Sequence, residues 1–122
     1  MISIIIPVLN EEKNISSVLE NIKRLNGVKE VIIVDGGSID NTESIVNSVG
    51  AYNYTPLLLS SQKGRGHQMN RGAEIANGDT LLFLHSDTTL PENALLEIER
   101  VMKAHEIIGG RFDVGFDDNR FI

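Results

Sequence analysis

The chain has 122 residues, 41% of them apolar and 23% charged, which suits one soluble domain with a single core. Its net charge of −6 argues against a general affinity for nucleic acid. The absence of cysteine excludes disulfides and thiolate chemistry and fits a reducing compartment. No apolar run approaches the roughly 20 residues that a membrane-spanning helix needs. The opening MISIIIPVLNEE lacks the basic segment and cleavage site of a signal peptide, so it reads as a strand. No repeat, low-complexity tract or linker marks a boundary within residues 1–122.

Ile2 to Val8 is a mostly β-branched run broken only by Ser3 and Pro7, the pattern of a strand covered on both faces. Asn10 is placed to cap a helix from about Glu11 to Leu25, whose Ile15, Val18, Leu19, Ile22 and Leu25 recur at helical spacing before Gly27 closes it. Glu30 to Val34 is a second buried strand. Asp40 then caps a helix with Ile45, Val46 and Val49 inward, stopped by Gly50. Residues 51–59 suggest a third strand, interrupted by Pro56. The spacing predicts a helix from about Gly66 to Ala76, then a strand over Thr80 to Leu84. Pro91 suits a first helical position ahead of Leu95, Ile98, Val101 and Met102, and Ile107 to Phe116 reads as a last strand. The order βαβαβαβαβ argues for an α/β fold, a mostly parallel sheet with helices on both faces.

In such sheets ligands bind beyond the carboxyl ends of the strands, so the residues just after each strand are the candidates. These are Pro7 to Glu12, Asp35 to Asp40, the segment SSQKGRGHQMNRG, and His85-Ser86-Asp87. Segment 63–71 carries Lys63, Arg65, His67 and Arg71 and no acid, with Gly64 and Gly66 allowing close backbone approach ahead of a helix N-terminus. That combination suits a phosphate, although a basic run is often only a solvated loop. Asp35 serves either a ligand's N–H and hydroxyl donors or the turn that Gly36 and Gly37 make; for Asp40 the capping role is preferred. Asn10 and Glu11 have a capping role available too. Asp87 is a hard oxygen donor suited to Mg²⁺ or Mn²⁺ when a diphosphate supplies further oxygens; Ser86, Thr88 or Thr89 can cap the next helix instead. A dedicated zinc site does not fit three histidines and no cysteine.

The stretches ISIIIPVLNEEKNI, VIIVDGGSIDNT and GRGHQMNRGAEIANGDTLLFLHSDTTLP, in that order and spacing, resemble the family 2 glycosyltransferases over residues 2 to about 91. Small bacterial enzymes with FLHADT in place of the usual Asp-X-Asp are the nearest likeness. The resemblance implies a three-layer α/β/α fold of the GT-A, nucleotide-diphospho-sugar transferase type. It implies transfer with inversion from a nucleotide-diphospho-sugar, a UDP-sugar foremost, with Mn²⁺ or Mg²⁺ as cofactor. Pro7 and Glu11 would lie by the nucleotide, Glu11 on the ribose, with Asn10, Gly37, Lys63, Gly66, Asn70 and Ser86 also on the donor. Asp35 would contact the base, Arg65 the diphosphate or base, and Asp87 the metal. The family's second turn Asp is Gly36 here, and the first Asp of Asp-X-Asp is His85, which removes one negative charge from the metal site but can still reach a ribose or a metal-bound water. The family's general base falls beyond Ile122, so residues 1–122 are expected to be a donor-binding domain without the acceptor half; Asp113, Asp117 and Asp118 are weak substitutes. The resemblance also implies a cytoplasmic setting, with the inner membrane face as a variant, an acceptor that stays unidentified, and no nucleic-acid partner. A sheet cut short in this way could pair with a second copy.

Two other functions fit parts of the pattern. A sugar-phosphate nucleotidyltransferase would carry a Gly-rich basic loop after strand one, whereas PVLNEEKNI is acidic and glycine-free. A non-catalytic nucleotide-binding or oligomerisation module would tolerate His85 and the missing base. A dinucleotide-binding domain is disfavoured because no Gly-x-Gly-x-x-Gly follows strand one.

Overall fold

The computed structural model describes residues 1–49, 55–104 and 108–112. Four strands form one parallel sheet: β1 (Ile2–Val8), β2 (Lys29–Asp35), β3 (Leu57–Ser60) and β4 (Thr80–Phe83), in the order β3-β2-β1-β4. Four helices link or follow them: α1 (Ile15–Arg24), α2 (Thr42–Ser48), α3 (Arg65–Ile75) and α4 (Ala94–Met102).

The strand at the centre is the one with the longest apolar run. Ile2, Ile4, Ile5 and Ile6 are fully buried because β1 has a neighbour on each side and helices above and below. At roughly 1.5–3 kcal/mol for each buried side chain of this size, β1 is the axis of the core. Its alternation divides that core. Ile2, Ile4, Ile6 and Val8 pack with Ile15, Val18, Leu19 and Ile22 of α1, Val46 of α2 and Leu95 of α4. Ile5 packs on the opposite face with Ile32 and Val34, where Ala73 and Ile75 of α3 cover it. The result is the expected three-layer arrangement, with three helices on one face and one on the other.

Several boundaries differ from the sequence expectation. The first helix begins at Ile15, not Glu11, since Asn10 has a positive φ of 52° and its side chain caps nothing in α1. The third strand is Leu57–Ser60, beginning just after Pro56; residues 50–54 lie outside the described ones. Pro91 is three residues ahead of α4, closing a turn in which its carbonyl accepts from the Ala94 N–H. Val101 faces outward rather than inward. Half of the last expected strand, 107 and 113–116, falls outside the described residues, and 108–112 belong to no strand. The apolar run from Leu81 to Leu84 would suit an interior strand, but among the described strands β4 is an edge, and Leu81 and Phe83 are 40% and 46% exposed. No described helix is long and apolar enough to cross a membrane.

Candidate functional site

The chain steps from β1 outward through β2 to β3, then returns to the other side of β1 with β4. The reversal leaves a crevice beyond the carboxyl ends of β1 and β4, the place where open α/β sheets bind ligands. A cavity of about 430 Å³ lies there, lined by the end of β1 (Pro7, Val8, Leu9, Glu11), the start of α3 (Lys63, Gly64, Arg65, Gln68) and the end of β4 (His85, Ser86, Asp87).

The loops after β1 and β2 are laced together. Asn10 N–H donates to Ser38 Oγ at 2.8 Å, and Asn10 Oδ1 accepts from Ile39 N–H at 2.8 Å. Glu12 N–H donates to Asp40 Oδ2, and the Glu12 carboxylate accepts from Asn41 N–H. Glu11 N–H donates to Thr42 Oγ1 at 2.8 Å, while its carboxylate accepts from Asn14 Nδ2. The left-handed backbone of Asn10, which asparagine tolerates better than most residues, makes this crossing possible. Asn10 therefore joins two loops instead of capping a helix. Asp40 lies one residue ahead of the α2 cap, Asn41, and its carboxylate accepts from Thr42 N–H at the start of that helix.

Asp35 is 1% exposed, and its carboxylate accepts from Gly37 N–H, Ser38 N–H and Ser38 Oγ. Burial works to raise this carboxyl; the bonds from Ser38 and Gly37 outweigh it and hold it below the ordinary range. The neighbouring Glu43 carboxyl moves upward, through its hydrogen bond with Asp35, the Asp35 charge and a little burial. Of the two readings open for Asp35, the turn is the one drawn by these contacts. Asp35 is not on the cavity's lining, nor are Asn10, Gly37, Gly66 and Asn70.

Gly64 has φ of 135°, a backbone that favours glycine, and this turns the chain into α3 with Lys63 and Arg65 at the cavity. Among the described residues neither cation enters an ion pair. A turn further along α3, Gln68 is buried, and its Nε2 donates to the carbonyls of Val8 at 2.8 Å and Val34 at 2.9 Å. This amide explains the glycine at 36. A Cβ there would lie 2.9 Å from Gln68 Cδ and Oε1, so a larger turn residue and the Gln68 bridge exclude each other. Gly66, by contrast, has open space where a Cβ would go.

At the end of β4, Ser86 is buried while His85 and Asp87 are exposed at the cavity. Thr88 N–H donates to the His85 carbonyl to close a turn. Asn21 of α1 holds the segment from behind, donating to the Leu90 carbonyl at 2.9 Å and accepting from Leu90 N–H at 2.8 Å. No group of three or more His, Cys, Asp or Glu side chains gathers as a metal site among the described residues. Asp87 nevertheless fits a hard divalent cation of the kind that takes one or two carboxylates and completes its shell with phosphate oxygens and water. Its carboxylate has no partner among the described residues.

Of the residues expected from sequence, Pro7, Glu11, Lys63, Arg65, His85, Ser86 and Asp87 come together here. Gln68 was missed. A glutamine inside a helix carries no signal by itself, and only the paired absence of a side chain at Gly36 hints at it.

A model of the family described as glycosyl transferase family 2 matches residues 3–122. The PGL/p-HBAD biosynthesis glycosyltransferase of Mycobacterium bovis is 36% identical over 110 residues, covering 87% of this chain and 43% of that protein. The glucosyl-3-phosphoglycerate synthase of Mycolicibacterium smegmatis is 35% identical over 97 residues, covering 75% of this chain and 32% of that protein. The chain thus spans less than half the length of the curated relatives it matches. Among solved structures, S. aureus TarS 1-349 in complex with UDP-GlcNAc superimposes with a TM-score of 0.72 at 28% identity, over 86% of this chain and 32% of that one. The Mycobacterium tuberculosis glucosyl-3-phosphoglycerate synthase with Mn²⁺, UDP and glucosyl-3-phosphoglycerate gives 0.70 at 28% identity, over 88% and 41%. With its parallel GT-A sheet, its cavity at the strand reversal and a family match from end to end of the motifs, the chain belongs to glycosyl transferase family 2.

Proposed function

We propose that this chain is the donor-binding part of an inverting glycosyltransferase, taking a nucleotide-diphospho-sugar, with UDP as the leading nucleotide, for transfer to an acceptor. The observation that carries the reading is the composition of one cavity: two cations, Lys63 and Arg65, and a carboxylate, Asp87, line it together, none of them paired among the described residues. An anion held by a cation alone needs no carboxylate nearby. A carboxylate opposite two basic side chains suits a diphosphate that bridges to a divalent ion. UDP and Mn²⁺ in a solved relative of 28% identity support that choice.

In this mechanism Lys63 and Arg65 attract the diphosphate, and Gly64 lets the backbone approach it. Glu11, with its N–H fixed on Thr42, offers its second carboxylate oxygen to ribose hydroxyls. His85 reaches a ribose hydroxyl or a water beside Asp87. Asp87 would hold Mn²⁺ or Mg²⁺, which when bound offsets charge developing on the leaving diphosphate. Displacement at the anomeric carbon then inverts the sugar. The general base and the acceptor contacts are assigned to no described residue.

Calorimetric titration with UDP and GDP, with and without Mn²⁺, tests the reading. Micromolar to millimolar binding that strengthens with Mn²⁺, and loses that gain in Asp87→Ala, is expected. No binding of either nucleotide at millimolar concentration refutes it. Binding that Asp87→Ala leaves unchanged would favour a non-catalytic nucleotide-binding module instead.

A further inference from the structure

Gln68 is the buried amide on the wall of a cavity whose charged side chains are otherwise exposed or half-exposed. Both Nε2 hydrogens are spent, on the Val8 and Val34 carbonyls. That fixes which end of the amide faces which way. Turning it over would set Oε1 against two carbonyl oxygens, so the flip is closed. Oε1 has no partner among the described residues, and no fully buried polar side-chain atom among them is unpaired. Oε1 therefore keeps some exposure on a residue that lines the cavity, as an acceptor that cannot become a donor. Gly36 keeps it in place, since a Cβ there would meet Oε1 at 2.9 Å and Nε2 at 3.1 Å.

We propose that Gln68, with Gly36 making room for it, is the base-discriminating residue of this cavity, favouring nucleobases that present a ring N–H. The inference rests on the reading that the cavity holds a nucleoside diphosphate. Phosphates belong with the exposed Lys63 and Arg65. The neutral, planar part of such a ligand belongs against a buried neutral amide, beside the half-buried Pro7. Uracil N3–H and guanine N1–H donate to a fixed acceptor. In the same pose cytosine N3 and adenine N1 bring a lone pair against it, an opposition costlier than a merely missing contact, and their exocyclic amino groups reach Oε1 only if the base shifts.

The test is a titration panel of UDP, GDP, CDP and ADP with Mn²⁺ on the 122-residue chain, on Gln68→Met and on Gly36→Ala. For the unaltered chain, UDP or GDP should bind about tenfold or more tighter than CDP and ADP. Gln68→Met removes the acceptor while keeping the bulk, and the ratio should fall toward one. If that variant does not fold, Gly36→Ala, which displaces the amide without deleting it, should lower the same ratio. Equal affinity of the unaltered chain for UDP and CDP, or an undiminished ratio in a folded variant, overturns the inference and leaves the nucleotide reading standing. No binding of any member of the panel overturns that reading itself, and this inference with it.

Discussion

Gly72 sits where α3 crosses the sheet, and replacing it with alanine tests how that helix is held. A Cβ at this position would lie 2.5 Å from Ile5 Cγ2 and 3.2 Å from Val34 Cγ2, and both isoleucine and valine are fully buried. Ordinary carbon–carbon contact is about 3.5–4.0 Å, so α3 must move outward by roughly an ångström or Ile5 must leave its rotamer. Alanine gains about 0.8–1.0 kcal/mol of helix propensity over glycine. Overpacking a filled core costs about 1–3 kcal/mol, and an overlap this large belongs at the upper end. The net expectation is a loss of about 1–2 kcal/mol, or a melting temperature lower by roughly 4–8 °C. Gly66→Ala in the same helix is the control. Its Cβ meets nothing within 4 Å, so it should gain up to about 0.5 kcal/mol. Gln68 lies one turn before Gly72 on the same buried face, so the displaced helix should also weaken nucleotide binding. Thermal unfolding followed by circular dichroism reads the first effect. A Gly72→Ala protein at least as stable as the original would refute the packing argument.

Two further predictions concern the supports of the cavity. Asn21→Ala leaves the Leu90 N–H and carbonyl without their side-chain partner; it should cost about 1–3 kcal/mol and weaken Mn²⁺-assisted UDP binding, whereas an unchanged affinity would show that the Asp87 turn stands without this tether. In acid, Asp35, Asp40 and Glu30 all matter: burial tends to raise each carboxyl, and hydrogen bonds overcome it and lower each one. Lowered values mean the unfolded chain takes up protons first, so the stability these groups lend is complete above about pH 5 and is lost as pH falls through the folded values. The urea midpoint should drop steadily from pH 5 to 3, with the raised Glu43 carboxyl working weakly in the opposite sense; a flat midpoint over that range would contradict the hydrogen-bonding pattern.

The strands that legibly announced themselves were those whose burial is two-sided. Ile2–Val8 and Lys29–Asp35 follow directly from apolar runs, because in a parallel sheet both faces of such a strand are covered. The same rule misled at β4. Thr80–Phe83 is as apolar as an interior strand, yet no described strand lies beyond it. Local sequence cannot tell a covered face from one left open. Helix starts failed for a different reason. Asn10 and Asp40 are both good caps by composition, but Asn10 spends its side chain on a loop 29 residues away, a choice made by tertiary contact. The candidate site was legible where charge sits at a strand end, as with Lys63, Arg65 and Asp87. It was not legible at Gln68, whose role depends on the carbonyls of two strands that only the fold brings together.

The lacing of the first two loops has an electrostatic consequence. A chain of net charge −6 that concentrates Glu11, Glu12, Asp35 and Asp40 at one edge would be expected to repel an anion there. Yet most of that negative charge is turned toward backbone N–H groups: Asp35 toward residues 37 and 38, Asp40 toward 12 and 42, Glu12 toward 41. Each such dipole softens the field of the carboxylate it faces. Lys63 and Arg65, which enter no ion pair among the described residues, then meet less opposing charge from these loops when an anion enters the crevice. An acidic protein can in this way keep one edge open to negatively charged molecules, by letting its own backbone absorb the acids around it.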